Sequence, residues 1–172
     1  MKKIVLSIIA FFAISLGVNA QKFALIDMEY ILKNIPAYEM ANEQLNTISK
    51  KWQAEVEAMQ QEAQNLYKTY QAELVFLSPE IKSKRETQIV EKEQASQELK
   101  RRYFGADGEL YKRRESQIKP IQDEIYNAVK EISVEKGYHV IFDRASSMTS
   151  IIFASPNIDI SNEVLAKLGY SK

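Results

Sequence analysis

The strongest constraint on this chain is an unbroken stripe of apolar side chains. From Tyr38 they recur at Ala41, Leu45, Ile48, Trp52, Val56, Met59, Ala63, Leu66, Tyr70, Leu74 and Leu77, always three or four residues apart. The mean step is about 3.55 residues, between the coiled-coil and straight-helix periods. The positions between are mostly Glu, Gln, Lys and Asn. This predicts one narrow-striped helix of about 40 residues, close to 60 Å long. A helix of that length cannot fold inside a small globule and needs a partner helix along its stripe.

The partner is the next stretch of chain. Ser78-Pro79-Glu80 interrupts the pattern, with Ser78 suited to an N-cap and Pro79 to a first helical turn. Helical composition resumes at Ile81, poorer in large apolar groups. The outgoing segment 37–77 carries six Glu and three Lys; the returning segment 79–119 carries eleven basic and eight acidic residues. Opposite signs favour antiparallel pairing, although each exposed pair contributes only a few tenths of a kcal/mol. Pro36 and Pro120 each lie 42 residues from Ser78. Both prolines are therefore expected at the same height at the root, with Pro120 kinking the returning helix. Gly105 and Gly108 lie within four residues and would cost roughly 2 kcal/mol in a helix interior. A local break is expected there, near Trp52, whose ring could fill the gap. Pro120, Gly105 and Gly108 are the candidate hinges.

The flanks read differently. Phe23–Ile26 is a short strand, followed by Asp27 as the cap of a helical turn over Met28–Asn34. After Pro120, Ile121, Ile125, Ala128, Val129 and Ile132 mark an amphipathic helix that Gly137 ends. Tyr138–Phe142 and Ser150–Phe153 read as two further strands joined by a hairpin-like Asp143–Thr149. Ile158–Leu168 reads as a closing helix, with Ser161 as a cap and Gly169 as the stop. Three short strands make a weak sheet with open edges, for which oligomerisation is the natural remedy. The expected organisation is mainly α with a small β body: a leader at 1–20, the body at 21–35 and 120–172, and an antiparallel hairpin arm at 36–119 with its tip near 78–79.

Function classes are narrowed mostly by exclusion. Lys2 and Lys3, the apolar Ile4–Gly17 and the small residues to Ala20 form a cleavable secretory leader. The apolar run is shorter than the roughly 20 residues of a membrane span. Without Lys2 and Lys3, 21 basic and 23 acidic residues remain, a formal charge of −2. That is not the basic excess of a nucleic-acid binder. With no Cys, disulfides, thiol catalysis, thiolate metal sites and lipid acylation are excluded. His139 is the only His and has no second ligand or nucleophile in the pattern. Asp27 and Asp143 read as caps rather than an acid–base pair. No phosphate loop is present. Neither a catalytic residue, a metal site nor a cofactor is expected.

Ala24-Leu25-Ile26-Asp27-Met28, the Gln/Glu/Lys-rich hairpin, and the block from Ile118-Lys119-Pro120-Ile121 to Gly137-Tyr138-His139-Val140-Ile141-Phe142-Asp143 carry a resemblance. Over essentially the whole chain after residue 20, the sequence resembles the Skp/OmpH family of periplasmic chaperones. The resemblance implies a homotrimer with three hairpin arms around a cavity that holds unfolded outer-membrane proteins without ATP. It departs from the family in being slightly acidic and in carrying the Gly105–Gly108 break. An alternative is a structural coiled-coil adaptor or spacer of the cell envelope.

Candidate client contacts are Tyr67, Val75 and Phe76, which lie off the stripe or at the tip, together with Trp52 and Met59, which the hairpin seam also claims. Lys100, Arg101, Arg102, Lys112, Arg113 and Arg114 flank the glycine break. They read either as a solvated face paired with Glu of the outgoing helix or as a patch for anionic lipid or lipopolysaccharide. Phe23, Leu25, Val140, Phe142, Ile151 and Phe153, all in expected strands, are the candidate oligomer core.

Overall fold

The computed structural model describes residues 21–146 and 151–170; the leader reading of residues 1–20 lies outside them. In chain order the elements are β1 (Lys22–Ile26), α1 (Met28–Lys33), α2 (Pro36–Glu73), a 3-10 turn (Leu74–Phe76), α3 (Pro79–Phe104), α4 (Glu109–Lys136), β2 (Tyr138–Asp143), a second 3-10 turn (Pro156–Ile158) and α5 (Ser161–Lys167). They form two compact units, Ile35–Glu124 and residues 21–34 with 125–170.

The first unit is the helical hairpin. Every member of the α2 stripe from Tyr38 to Leu77 is buried or half-buried, so the periodicity marks a real seam. Pro36 opens α2, where a missing N–H loses nothing. The helix ends at Glu73, four residues short of the expected Leu77, because the chain tightens into a 3-10 turn at the tip. Ser78 Oγ then accepts from the Ile81 N–H at 3.4 Å, and Pro79 opens α3. The antiparallel partner α3 is thinner, with only Ile89 and Ser96 fully buried. Ion pairs Lys92–Glu62 at 2.8 Å and Arg85–Glu73 at 3.8 Å cross the seam. Both are partly exposed and contribute little individually.

Pro120 corrects the symmetry argument. It lies inside α4, which continues through it for sixteen more residues to Lys136. Pro120 leaves the Ser116 carbonyl without its helical donor on an exposed turn, since Ser116 and Pro120 are both exposed, while Ile118 and Ile125 on either side are buried. Nor does Pro120 share the height of Pro36, because Ile118 packs with Ala41 and Leu45. The displacement arises at the glycine break. Gln44 is eight residues from Trp52 along α2, yet its partner Gln117 is fourteen residues from Trp52's neighbour Tyr103. The break absorbs the difference.

The second unit holds a two-stranded sheet. β1 and β2 are parallel, pairing Phe23 with Val140, Ala24 with Ile141, Leu25 with Phe142 and Ile26 with Asp143. Parallel neighbours need a long crossover, and here it is everything from residue 27 to 137. The third expected strand does not form: Ile151–Phe153 has no ladder partner, and Ser150 lies outside the described residues. Part of β1's outer edge is taken by the bridge from Leu25 to Asp159, with the Ile160 N–H donating to the Leu25 carbonyl at 2.9 Å. The hairpin-like connection is likewise replaced, as far as it is described, by a turn in which Asp143 Oδ1 accepts from the Ala145 N–H at 3.0 Å. Ile31, Ile125, Ile132 and Val164 are fully buried in this unit, each worth about 1.5–3 kcal/mol of apolar burial. Gly137 (φ 70°) ends α4 in the left-handed region, where glycine avoids the Cβ penalty.

Polar groups lock the strand ends. Asp27 Oδ1 accepts from the Tyr30 N–H at 2.8 Å, capping α1, and Asp143 Oδ1 accepts from the Met28 N–H at 3.1 Å. Arg144 bridges Asp27 and Asp159, each at 3.1 Å. Ser161 is not the cap of α5. The cap position is Ile160, and the buried Ser161 hydroxyl instead accepts from the Asp27 N–H and donates to Asp159. The Tyr30 N–H, with help from Arg144, holds the Asp27 carboxyl below the ordinary carboxylate range. Its ionised form therefore favours the fold. That stability is present above the unfolded value near 3.8 and is lost as pH falls through the lowered native one. Asp27→Asn keeps a capping oxygen but loses the charge. Its urea midpoint should lie below the unaltered chain's at neutral pH, with the gap closing as the pH falls below 3.8 and through the lowered native value. A gap independent of pH would show that the charge is not what matters.

Candidate binding surfaces

Three surfaces stand out, and each begins with side chains that the chain's own core does not use. The first is the tip. Val75 and Phe76 are adjacent, apolar and 86% and 88% exposed on the 3-10 turn. Tyr67 is about half exposed on α2, one turn short of the seam residue Tyr70. Trp52 is different: at 7% exposure it belongs to the seam, which removes it from the contact surface, and Met59 is half-buried beside the same seam.

The second surface surrounds the glycine break. Gly105 ends α3, its N–H donating to the Arg101 carbonyl at 2.8 Å, and the Gly108 N–H returns to the Gly105 carbonyl at 2.9 Å. Neither glycine has a positive φ, so backbone freedom is not what they supply. They supply the missing Cβ. A Cβ on Gly105 would lie 2.4 Å from the Arg101 carbonyl oxygen, and one on Gly108 would lie 2.8 Å from both Gly105 N and Tyr103 O. Across from this turn the Trp52 ring stacks on Tyr103 at 4.6 Å and 7°. The Arg113 guanidinium, from beyond the break, lies 5.5 Å from the Trp52 ring centre. Stacking is worth about 0.5–1.5 kcal/mol and an exposed cation–π contact about 0.5–1. The Tyr103 hydroxyl donates to Glu55 at 2.7 Å, which pushes the phenol's pKa up. Tyr70 makes the same kind of bond to Glu86 nearer the tip, with the same effect.

The basic cluster stands at the same break. Lys100, Arg101, Arg102, Lys112, Arg113 and Arg114 are all exposed. None has a carboxylate within salt-bridge distance among the described residues. The expected pairing with outgoing Glu is absent; Glu55 accepts instead from Tyr103, and Glu57 from Gln53 at 2.9 Å. The cluster is therefore solvated and largely unneutralised. Its band of charge was legible in the sequence; the loss of its counter-charges was not.

The third surface is one face of the sheet. Phe23, Leu25, Val140 and Phe142 share it by register, with Phe23 and Phe142 rings 6.4 Å apart. Val140 and Phe142 are each 41% exposed, and Phe23 is similar. Leu25 departs from the expected group: the bridge to Asp159 buries it in the chain's own core. Ile151 and Phe153 are exposed but lie on no strand. His139 is exposed on β2.

The glycine turn yields an opposite-sign test. In an ordinary helix Gly108→Ala would stabilise by about 1 kcal/mol. Here the colliding backbone should make it destabilising in urea unfolding, read by the fluorescence of the single Trp52. Tyr103→Phe keeps the ring but loses the Glu55 bond, and should lower the urea midpoint in the same measurement. Stabilisation by the alanine would mean that the break is not specified by its glycines.

Comparison with known proteins matches this architecture throughout. At 24% identity over 156 residues, the chain is similar to the chaperone protein Skp of Yersinia enterocolitica, covering 91% of each. Its fold is that of an OmpH-like outer membrane chaperone from Caulobacter crescentus CB15, with a TM-score of 0.66 at 16% identity, covering 88% of this chain and 86% of the other. The family model described as Outer membrane protein (OmpH-like) matches residues 22–168. The long helical hairpin joined to a small sheet is thus a family architecture, and this chain belongs to the OmpH-like family of outer membrane chaperones.

Proposed function

We infer that this protein is an ATP-independent holdase of the periplasm, delivered by the leader at residues 1–20, which encloses unfolded outer-membrane proteins between the hairpin arms of a homotrimer. The observation that carries this reading is the exposure of Tyr67, Val75 and Phe76 on a hairpin whose own seam is already complete. Apolar side chains that serve no internal packing are available to a client. Each contact is weak, so retention comes from many arms and many points at once. Met59, half-buried at the seam edge, is a lesser contact. No step requires a cofactor. Pro120, Gly105 and Gly108 let the arms adjust to the client. The unneutralised cluster from Lys100 to Arg114 would draw in anionic lipid or lipopolysaccharide, by charge alone.

The oligomer rests on a separate observation. The Phe23–Val140–Phe142 face stays open in one chain, and two strands alone make a marginal sheet. Copies of the chain would cover it, with Ile151 and Phe153 added at its margin.

Two measurements test this reading. At near-equimolar trimer and without ATP, the protein should keep an unfolded outer-membrane barrel soluble after dilution from urea. Aggregation at the uninhibited rate would sink the holdase and favour a structural spacer. Phe142→Asp places a charge on the open sheet face and should reduce the mass seen by light scattering to that of one chain, with helical circular dichroism retained. An unchanged mass would move the oligomer interface elsewhere.

A further inference from the structure

We propose that the glycine break is a latched joint: Trp52 on α2 grips Tyr103 before the break and Arg113 after it, and release of that grip both bends the arm and uncovers aromatic surface. The inference concerns the hairpin alone and does not depend on what the hairpin holds.

α2 is one helix along its whole length, whereas the returning side is two helices joined at residues 105–108. The returning side can therefore give way at residues 105–108, where α3 and α4 are not hydrogen-bonded as a single helix. At that height one ring touches both pieces. Tyr103 belongs to the last turn of α3 and stacks on Trp52 at 4.6 Å; Arg113 belongs to the second turn of α4 and lies 5.5 Å from the same ring. Glu55, one turn along α2 from Trp52, adds the bond to Tyr103. Nothing of this kind fastens α4 near the break by charge, since its basic residues Lys112, Arg113 and Arg114 have no ion pair among the described residues. Leu110, in the first turn of α4, also packs with the Ala41–Leu45–Ile118 cluster, but Trp52 is the side chain that touches both pieces of the returning side.

The same geometry links bending to exposure. Phe104 lies edge-on to Tyr103 at 6.3 Å and is already partly exposed at the break. Beside it runs a groove of about 270 Å³ whose lining includes Val56, Phe104 and Lys100. Moving α4 away from Trp52 would uncover the face of that ring which Arg113 now covers, near the already exposed Phe104 and its groove. The latch thus sets how much aromatic surface the arm presents.

The chain contains no Cys, so spin labels can be placed at will in the full-length protein. Gln94→Cys with Glu115→Cys spans the break; Gln71→Cys with Gln94→Cys crosses the seam on the tip side only. All three positions are exposed, and labelled chains are diluted with unlabelled ones. The spanning pair should give one narrow distance distribution. Trp52→Ala should broaden it at least twofold and leave the tip-side pair unchanged. Arg113→Gln, which keeps the aromatic stack and protects the test against misfolding, should broaden it less and raise acrylamide quenching of Trp52. A spanning distribution that is broad before any substitution would overturn the latch. So would one that neither variant changes, or broadening of both pairs together, which would signal melting of the hairpin rather than release of a joint.

Discussion

Everything in this protein depends on covering one narrow apolar stripe. α2 is too long for any globular core and too apolar along one line to stand in water. Its partner must therefore run antiparallel beside it for the whole length. This sets the turn at Ser78-Pro79, makes the returning helix a cover rather than a second core, and leaves most of α3 solvated. It also separates β1 from β2 by more than a hundred residues, which supplies the long crossover that their parallel pairing needs.

The glycine break shows how a locally unfavourable sequence is held by tertiary contacts. Two glycines weaken the returning helix where it most needs continuity, and their missing Cβ atoms let the backbone fold tightly on itself. The break is bridged from the opposite helix by Trp52, through a stack and a cation–π contact. Around the break six exposed cations have no ion pair among the described residues, while Glu55 and Glu57 of the outgoing helix accept from Tyr103 and Gln53.

The small sheet is built on different terms. Ala24, Leu25 and Ile26 of the sheet are buried, as are Ile31, Ile125 and Val164 of the helices in the same unit, and the strand ends are tied by Asp27, Asp143, Arg144 and Ser161. One face of the sheet presents Phe23, Val140 and Phe142 to solvent. One unit is closed by polar locks and the other by an apolar seam, and both keep apolar groups on the outside. That combination suits a member of a chaperone family, whose surfaces must be sticky without destabilising the chain that carries them.

Much of this was legible in the sequence, where periodicity and capping act locally. The α2 stripe, Pro36, the Ser78-Pro79 turn, the break at Gly105 and the stop at Gly137 each follow from a residue's own conformational preference or from spacing along one helix. The family, too, was legible in the order of Pro120, Gly137 and the strand after it. What the sequence left open depends on partners distant along the chain. Ile151–Phe153 has the composition of a strand, yet it pairs with neither strand of the sheet, and part of the edge of β1 is taken by the bridge to Asp159 instead. Pro120 was expected to mark the root of the hairpin, yet α4 continues through it to Lys136. Its apparent symmetry with Pro36 failed because counting residues cannot detect that a tight turn takes up six of them. The pairing of Glu55 with Tyr103 rather than with a cation is equally invisible to charge patterning. The sequence by itself determined which elements form, because helix propensity and capping are local. Only the tertiary structure decided their register, their counter-charges and which apolar face stays open, because those depend on what occupies the space beside each residue.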